Sequence, residues 1–94
     1  MNNPNNFQYI DLEARYMIIP LSKAPTNKIA TIIQVNTGPG LKTRLLNMGF
    51  VNGAKLKVLE NNGHHIVVAL EGGSGRVVAL SRGIAMKILV EVQN

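Results

Sequence analysis

The pair His64-His65 is the feature of this sequence that most resembles a site for chemistry. Imidazole nitrogens are common ligands of transition metals, so adjacent histidines raise the possibility of Fe²⁺ or Zn²⁺ binding. On a β-strand, however, neighbouring side chains point to opposite faces and cannot chelate one ion. The sequence has no cysteine and no third histidine to complete a ligand shell. We therefore interpret the pair as a solvated hairpin tip, predict no cofactor, and keep a divalent metal site at His64 and His65 as an alternative.

Groups that could perform catalysis are few and scattered along the chain. The five acidic residues form no paired set that could act as general acid and base: Asp11, Glu13, Glu60, Glu71 and Glu91. Gly72-Gly73-Ser74-Gly75 resembles a phosphate-binding loop, but a strand-like segment follows it where such a loop requires a helix. We interpret it as a hairpin turn and predict that the protein is not an enzyme.

A short helix with clear boundary signals is predicted between Gly38 and Gly53. Pro39 suits the first helical position, and Leu41, Leu45 and Met48 share one face at i, i+4 and i+7. Gly49 stands where a helix ends in a left-handed residue. The helix therefore buries one apolar side and exposes the other.

The polar side of this helix is the candidate surface for a partner. Lys42 and Arg44 are two positions apart and point to different sides, and Asn47 lies one turn beyond Arg44. Solvation of an amphipathic helix explains these residues without a function. The functional interpretation is that Lys42, Arg44 and Asn47 contact an acidic protein.

Composition and charge restrict the class of protein. The 94 residues carry a formal net charge of +5, but the ten lysines and arginines occur singly and only four residues are aromatic. Nucleic-acid binding usually combines a concentrated basic face with stacking residues, so we predict no nucleic-acid partner. No apolar run approaches the roughly 18 residues that a membrane span needs, so we expect no membrane insertion. The absence of cysteine fits a reducing, cytoplasmic location.

Alternating residues predict about five short strands around the helix. The segment from Lys28 to Asn36 is predicted to place Ile29, Thr31, Ile33 and Val35 on one inward face. Three further strands are centred on Leu56-Val58, Ile66-Val68 and Ile88-Val90, and a shorter one spans 76–80. Ser81 can cap a short helical turn before the last strand. The predicted fold is mainly β, a small barrel that would leave no exposed sheet edge.

The first sixteen residues differ in composition from the rest. Asn2-Asn3-Pro4-Asn5-Asn6 is polar and rich in residues that break regular structure. We predict a flexible leader over residues 1–16 and one domain over 17–94. Without the leader, nine basic and three acidic residues remain, so the domain itself carries a net charge of +6.

The motifs together resemble the ferrous iron transport protein A (FeoA) family. The resemblance rests on the helix and turn from Gly38 to Gly53, on Leu56-Lys57-Val58-Leu59, and on the closing segment from Val78 to Val90. It implies an SH3-like β-barrel with an inserted helix. Asn27 and Asn52 depart from the glycine and proline common at these turns, and the family motif contains no iron-ligand set.

The resemblance also implies a function. It points to a cytosolic accessory or regulatory protein of bacterial ferrous iron uptake. Its expected partner is the cytosolic GTP-binding domain of a FeoB-type ferrous iron permease, and its expected state is a monomer or a weak dimer. The alternatives are a divalent transition-metal-binding protein and a generic SH3-like interaction module.

Overall fold

Short alternating runs of apolar and polar residues form six strands in the computed structural model of the chain, which describes residues 16–72 and 75–93. The strands are β1 (Tyr16–Pro20), β2 (Ile29–Val35), β3 (Lys55–Asn61), β4 (His65–Leu70), β5 (Val77–Ser81) and β6 (Ile88–Gln93). Helix α1 (Pro39–Met48) lies between β2 and β3, and the four-residue helix α2 (Arg82–Ala85) precedes β6. A 3₁₀ turn, Leu21–Lys23, follows β1.

All neighbouring strands are antiparallel, in the order β1-β6-β2-β3-β4-β5. The mainly β fold with one inserted helix and a short helical turn is therefore confirmed. Strand β1 is additional to the strands predicted from the sequence, and it makes six strands rather than about five. The terminal strands β1 and β5 do not pair, so the sheet is not closed by hydrogen bonds. The expectation of a barrel without exposed edges is wrong in that respect, because within residues 16–72 and 75–93 each terminal strand has one edge that pairs with no other strand.

The core fills the concave side of this sheet. Its buried side chains come from every strand except β1, joined by five residues of the connecting segments: Leu21, Ala24, Leu45, Phe50 and Ala85. Strands β3, β4 and β6 bury the apolar residues at the alternate positions that the pattern predicts. Phe50 is the largest fully buried side chain.

Strand β2 differs from its predicted face. The buried residues are Ala30, Ile32 and Val35, whereas Ile29 is exposed. The pairing of β2 with β6 shifts between Ile32 and Gln34, so one extra residue lies in β2. Such a bulge reverses the inward and outward parity beyond it, and for that reason strict alternation assigned Ile29, Thr31 and Ile33 to the wrong side.

The predicted turn chemistry is present at several connections. Asn27 adopts a left-handed conformation with φ of 65°. Ser81 caps α2, its Oγ accepting a hydrogen bond from the N–H of Ile84 at 3.3 Å. The side-chain amide of Asn61 donates to the carbonyl oxygens of Ser22 and Ala24, both at 3.0 Å, which ties the 3₁₀ turn to the end of β3.

The predicted leader falls almost wholly outside the described residues. Strand β1 begins at Tyr16, and residues 1–15 are not described. The division into a leader and a domain therefore stays a prediction. Among the helices of the described residues, none is both long and apolar enough to cross a membrane.

Candidate functional site

Helix α1 is held in place by its apolar face and by its C-terminal end. Leu45 is buried, and Leu41 and Met48 pack against the core beside it. The N–H of Gly49 donates to the carbonyl oxygen of Leu46 at 3.0 Å, and that of Phe50 donates to Leu45 at 2.9 Å. These two bonds form a Schellman motif, which requires the left-handed φ of 108° found at Gly49. Because Phe50 is also buried, the end of the helix is fixed in the core.

The predicted partner residues all lie on the exposed side of α1, but they do not form one patch. Lys42, Arg44 and Asn47 are exposed. At about 100° per residue, Arg44 and Asn47 lie about 60° apart, whereas Lys42 lies about 160° from Arg44 across the helix. Leu46 follows Lys42 by one turn and is 41% exposed. The helix therefore presents Arg44 and Asn47 on one flank and Lys42 beside Leu46 on the other.

A hollow lies where α1 ends and the β4–β5 connection begins. The described residues that line it come from the C-terminal end of the helix, the last residue of β4 and the β4–β5 connection: Leu46, Asn47, Met48, Gly49, Leu70, Glu71, Gly72 and Arg76. Of the predicted residues, Asn47 lies in this hollow. Glu71 and Arg76 bring one negative and one positive group to it.

Sequence reasoning missed Leu46, Glu71 and Arg76 at this site. One signal for Leu46 was available, because it lies off the i, i+4, i+7 face and yet is a large apolar residue. For Glu71 and Arg76 no local signal existed. They meet the helix only because the β4–β5 pair carries them to the end of α1.

The histidine pair lies at the tip of the β3–β4 hairpin. The Oδ1 atom of Asn62 accepts hydrogen bonds from the backbone N–H groups of His64 and His65, both at 2.8 Å. Both side chains are exposed, and His65 is the first residue of β4. Within residues 16–72 and 75–93, no cluster of three or more His, Cys, Asp or Glu side chains could hold a metal ion. Metal binding at His64 and His65 therefore stays a prediction.

Comparison with known proteins points to one family. The model of a family described as the FeoA domain matches residues 19–92. A protein from Methanocaldococcus jannaschii, named as an Fe(2+) transport protein A, is 35% identical over 72 residues, which is 77% of this chain and 84% of that relative.

Solved structures have the same fold. The solution NMR structure of the FeoA protein from Chlorobium tepidum has a TM-score of 0.70 at 32% identity, and the match covers 79% of this chain and 70% of that one. A manganese-dependent transcriptional repressor has a TM-score of 0.74 at 21% identity, with coverage of 82% of this chain and 37% of the repressor. At that identity the similarity to the repressor concerns the fold alone.

Proposed function

The chain belongs to the FeoA family, a family of ferrous iron transport, and on that premise we propose that it is a cytosolic accessory protein which binds the cytosolic part of a FeoB-type permease. The proposed contact is the exposed side of α1. In this proposal the chain acts by protein contact and performs no catalysis of its own.

The observation that carries the proposal is the division of α1 into a fixed inner face and a free outer one. Leu45 and the Schellman motif at Gly49 hold the helix to the core, so its outer side chains are presented on a rigid element. The outer side carries Arg44 on one flank and, on the other, Lys42 beside the half-exposed Leu46. Exposed apolar area next to charged groups is usual in transient protein interfaces.

The charge of the domain supports an acidic partner surface. The described residues carry nine basic and three acidic side chains, a net charge of +6. A charge of this size accelerates association with an acidic surface and makes the rate fall with added salt. We therefore expect the partner face of the permease domain to be rich in aspartate and glutamate.

The test is a binding titration with the isolated GTP-binding domain of the permease. Arg44→Glu and Lys42→Glu should each weaken binding by about tenfold, because reversal of an interfacial charge replaces attraction by repulsion. Lys87→Glu is the matched control, since Lys87 is exposed between α2 and β6 and its reversal changes the net charge equally. Equal affinities for the Arg44→Glu, Lys42→Glu and Lys87→Glu variants would contradict a contact through α1.

The alternative of divalent metal binding has its own test. Fe²⁺ under anaerobic conditions, and separately Zn²⁺, can be titrated while the ring resonances of His64 and His65 are followed by NMR. A shift of both rings at micromolar metal would support a site at the hairpin tip, and unchanged rings at millimolar metal would exclude one there.

A further inference from the structure

Among the described residues, no strand pairs with the outer edge of β5. It is the last strand of the sheet and pairs with β4 alone among the described strands. The N–H of Leu70 donates to the carbonyl oxygen of Arg76, and the N–H of Arg82 donates to that of His64. Antiparallel ladders alternate, so the even-numbered residues between these two positions bond to β4. The backbone groups of Val77 and Ala79 must then point to the free edge.

The outer face beside this edge is apolar along the stretch from Val77 to Ala79. Val77 is 60% exposed, and Ala79 is exposed too. Directly across on β4 lie Ala69, which pairs with Val77, and Val67, which pairs with Ala79. Natural edge strands are usually protected by charges, prolines or bulges, and β5 carries none of these between its ends.

Two arginines stand at the ends of the free edge. Arg76 immediately precedes β5 and Arg82 immediately follows it, and both are exposed. Six residue steps at about 3.3 Å each separate them by about 20 Å. An added strand would therefore meet a positive charge at each end and an uncharged stretch between.

These charges disfavour a second copy of the chain as the added strand. Antiparallel pairing of β5 with itself over its full length centres on Ala79 and sets Arg76 of each copy opposite Arg82 of the other. Like charges directly opposite each other destabilise a strand pair. The complementary occupant is a strand with an acidic residue at each end.

We propose that β5 is a docking edge, at which a partner protein adds an extended segment as a seventh strand. The segment has a core of five uncharged residues flanked on both sides by aspartate or glutamate. Its backbone bonds to Val77 and Ala79, and its acidic ends pair with Arg76 and Arg82. This mode of recognition uses main-chain hydrogen bonds for affinity and end charges for register. It uses the backbone edge of β5 and not the outer side of α1, and the two surfaces adjoin at Arg76, which also lines the hollow at the end of the helix.

A synthetic peptide tests the edge directly. The probe is the capped heptapeptide Asp-Thr-Val-Thr-Val-Thr-Glu, and the control has lysine at both ends of the same core. The acidic peptide should slow hydrogen exchange of the Val77 and Ala79 amides at least tenfold, because their N–H groups become bonded. The amides of Lys42 and Arg44 should not change. Unchanged exchange at Val77 and Ala79, or equal binding of both peptides, would overturn the proposal.

Two sets of variants separate strand addition from simple charge attraction. Ala79→Pro removes an edge N–H without touching the ladder to β4 and should abolish peptide binding, whereas Ala79→Thr should retain it. The double variant Arg76→Glu with Arg82→Glu keeps the backbone and should instead prefer the lysine-ended peptide. Retained binding by Ala79→Pro, or an unchanged preference in the double variant, contradicts the mechanism. Sedimentation of the free chain as a dimer that Ala79→Pro dissociates would assign the edge to a second copy instead.

Discussion

Helix α1 and strand β5 each have one side fixed in the molecule and one side free, but the free groups differ in kind. At the end of α1 the Schellman motif satisfies the last carbonyls, so what remains for a partner there is side-chain chemistry. On β5 the outward side chains of Val77, Ala79 and Ser81 are small and uncharged, and the free groups belong to the backbone. Binding at α1 should depend on charge and weaken with added salt. Binding at β5 should require an extended chain and be lost when proline replaces an edge residue.

The largest expected difference between the two regions lies in truncation of apolar side chains. Phe50→Ala should lower the free energy of unfolding by about 3–5 kcal/mol, because it empties a fully buried site at the end of α1. Val77→Ala on β5 should change it by less than about 0.5 kcal/mol, since Val77 is largely exposed. Urea unfolding measures both. Similar losses for the two variants would mean that β5 is covered by other parts of the chain.

Proline should distinguish the two edges of β5. Val78→Pro should cost about 2–3 kcal/mol, because the ladder places the N–H of Val78 against β4 and its removal leaves a buried carbonyl without a donor. Ala79→Pro should cost less than about 1 kcal/mol. Thermal melts of the two variants provide the measurement. A reversed order would show that the hydrogen-bond alternation assigned to β5 is off by one residue.

Replacement of each of two glycines by alanine tests the C-terminal boundary of α1. Gly49→Ala should cost about 1–2 kcal/mol, because φ of 108° disfavours a side chain and the new Cβ would lie 3.2 Å from Cδ1 of Leu70. Gly40→Ala, inside the helix with open space around it, should stabilise by about 0.5–1 kcal/mol. Chemical denaturation of the pair reports both signs. A stabilising Gly49→Ala would contradict the Schellman motif.

The smallest effect on stability is expected at the charged side of α1. Arg44→Glu should change the free energy of unfolding by less than about 0.5 kcal/mol, because the side chain is exposed. Its effect should appear instead in the affinity for the permease domain. A fall in stability as large as that of Gly49→Ala would assign Arg44 a structural role.

The same two regions differ in how far the sequence determines them. The helix from Pro39 to Met48 follows from local chemistry, since proline, the apolar face and Gly49 all act within a few residues. The free edge of β5 depends on whether β1 reaches it, which is a long-range property that no local pattern records. The local alternation in β3 and β4 predicted their inward residues. In β2 the same rule failed at Ile29, because a bulge is a property of strand pairing that local alternation does not record.

The candidate site likewise has one part that the sequence predicts and one part that it does not. The exposure of Lys42, Arg44 and Asn47 was predictable from helical periodicity. Their separation into two flanks follows from the same period. The hollow that joins Asn47 to Glu71 and Arg76 was not predictable, because it requires the position of the β4–β5 pair relative to the helix.

The bulge in β2 also affects how this chain would align with a relative that lacks it. Ala30, Ile32 and Val35 point inward because one extra residue lies between Ile32 and Gln34. Deletion of Ile33 would leave regular alternation with the same three inward side chains. A relative that lacks this one residue would therefore keep the same inward side chains. An alignment of the two sequences would need a gap in the middle of a strand, where alignments normally avoid gaps.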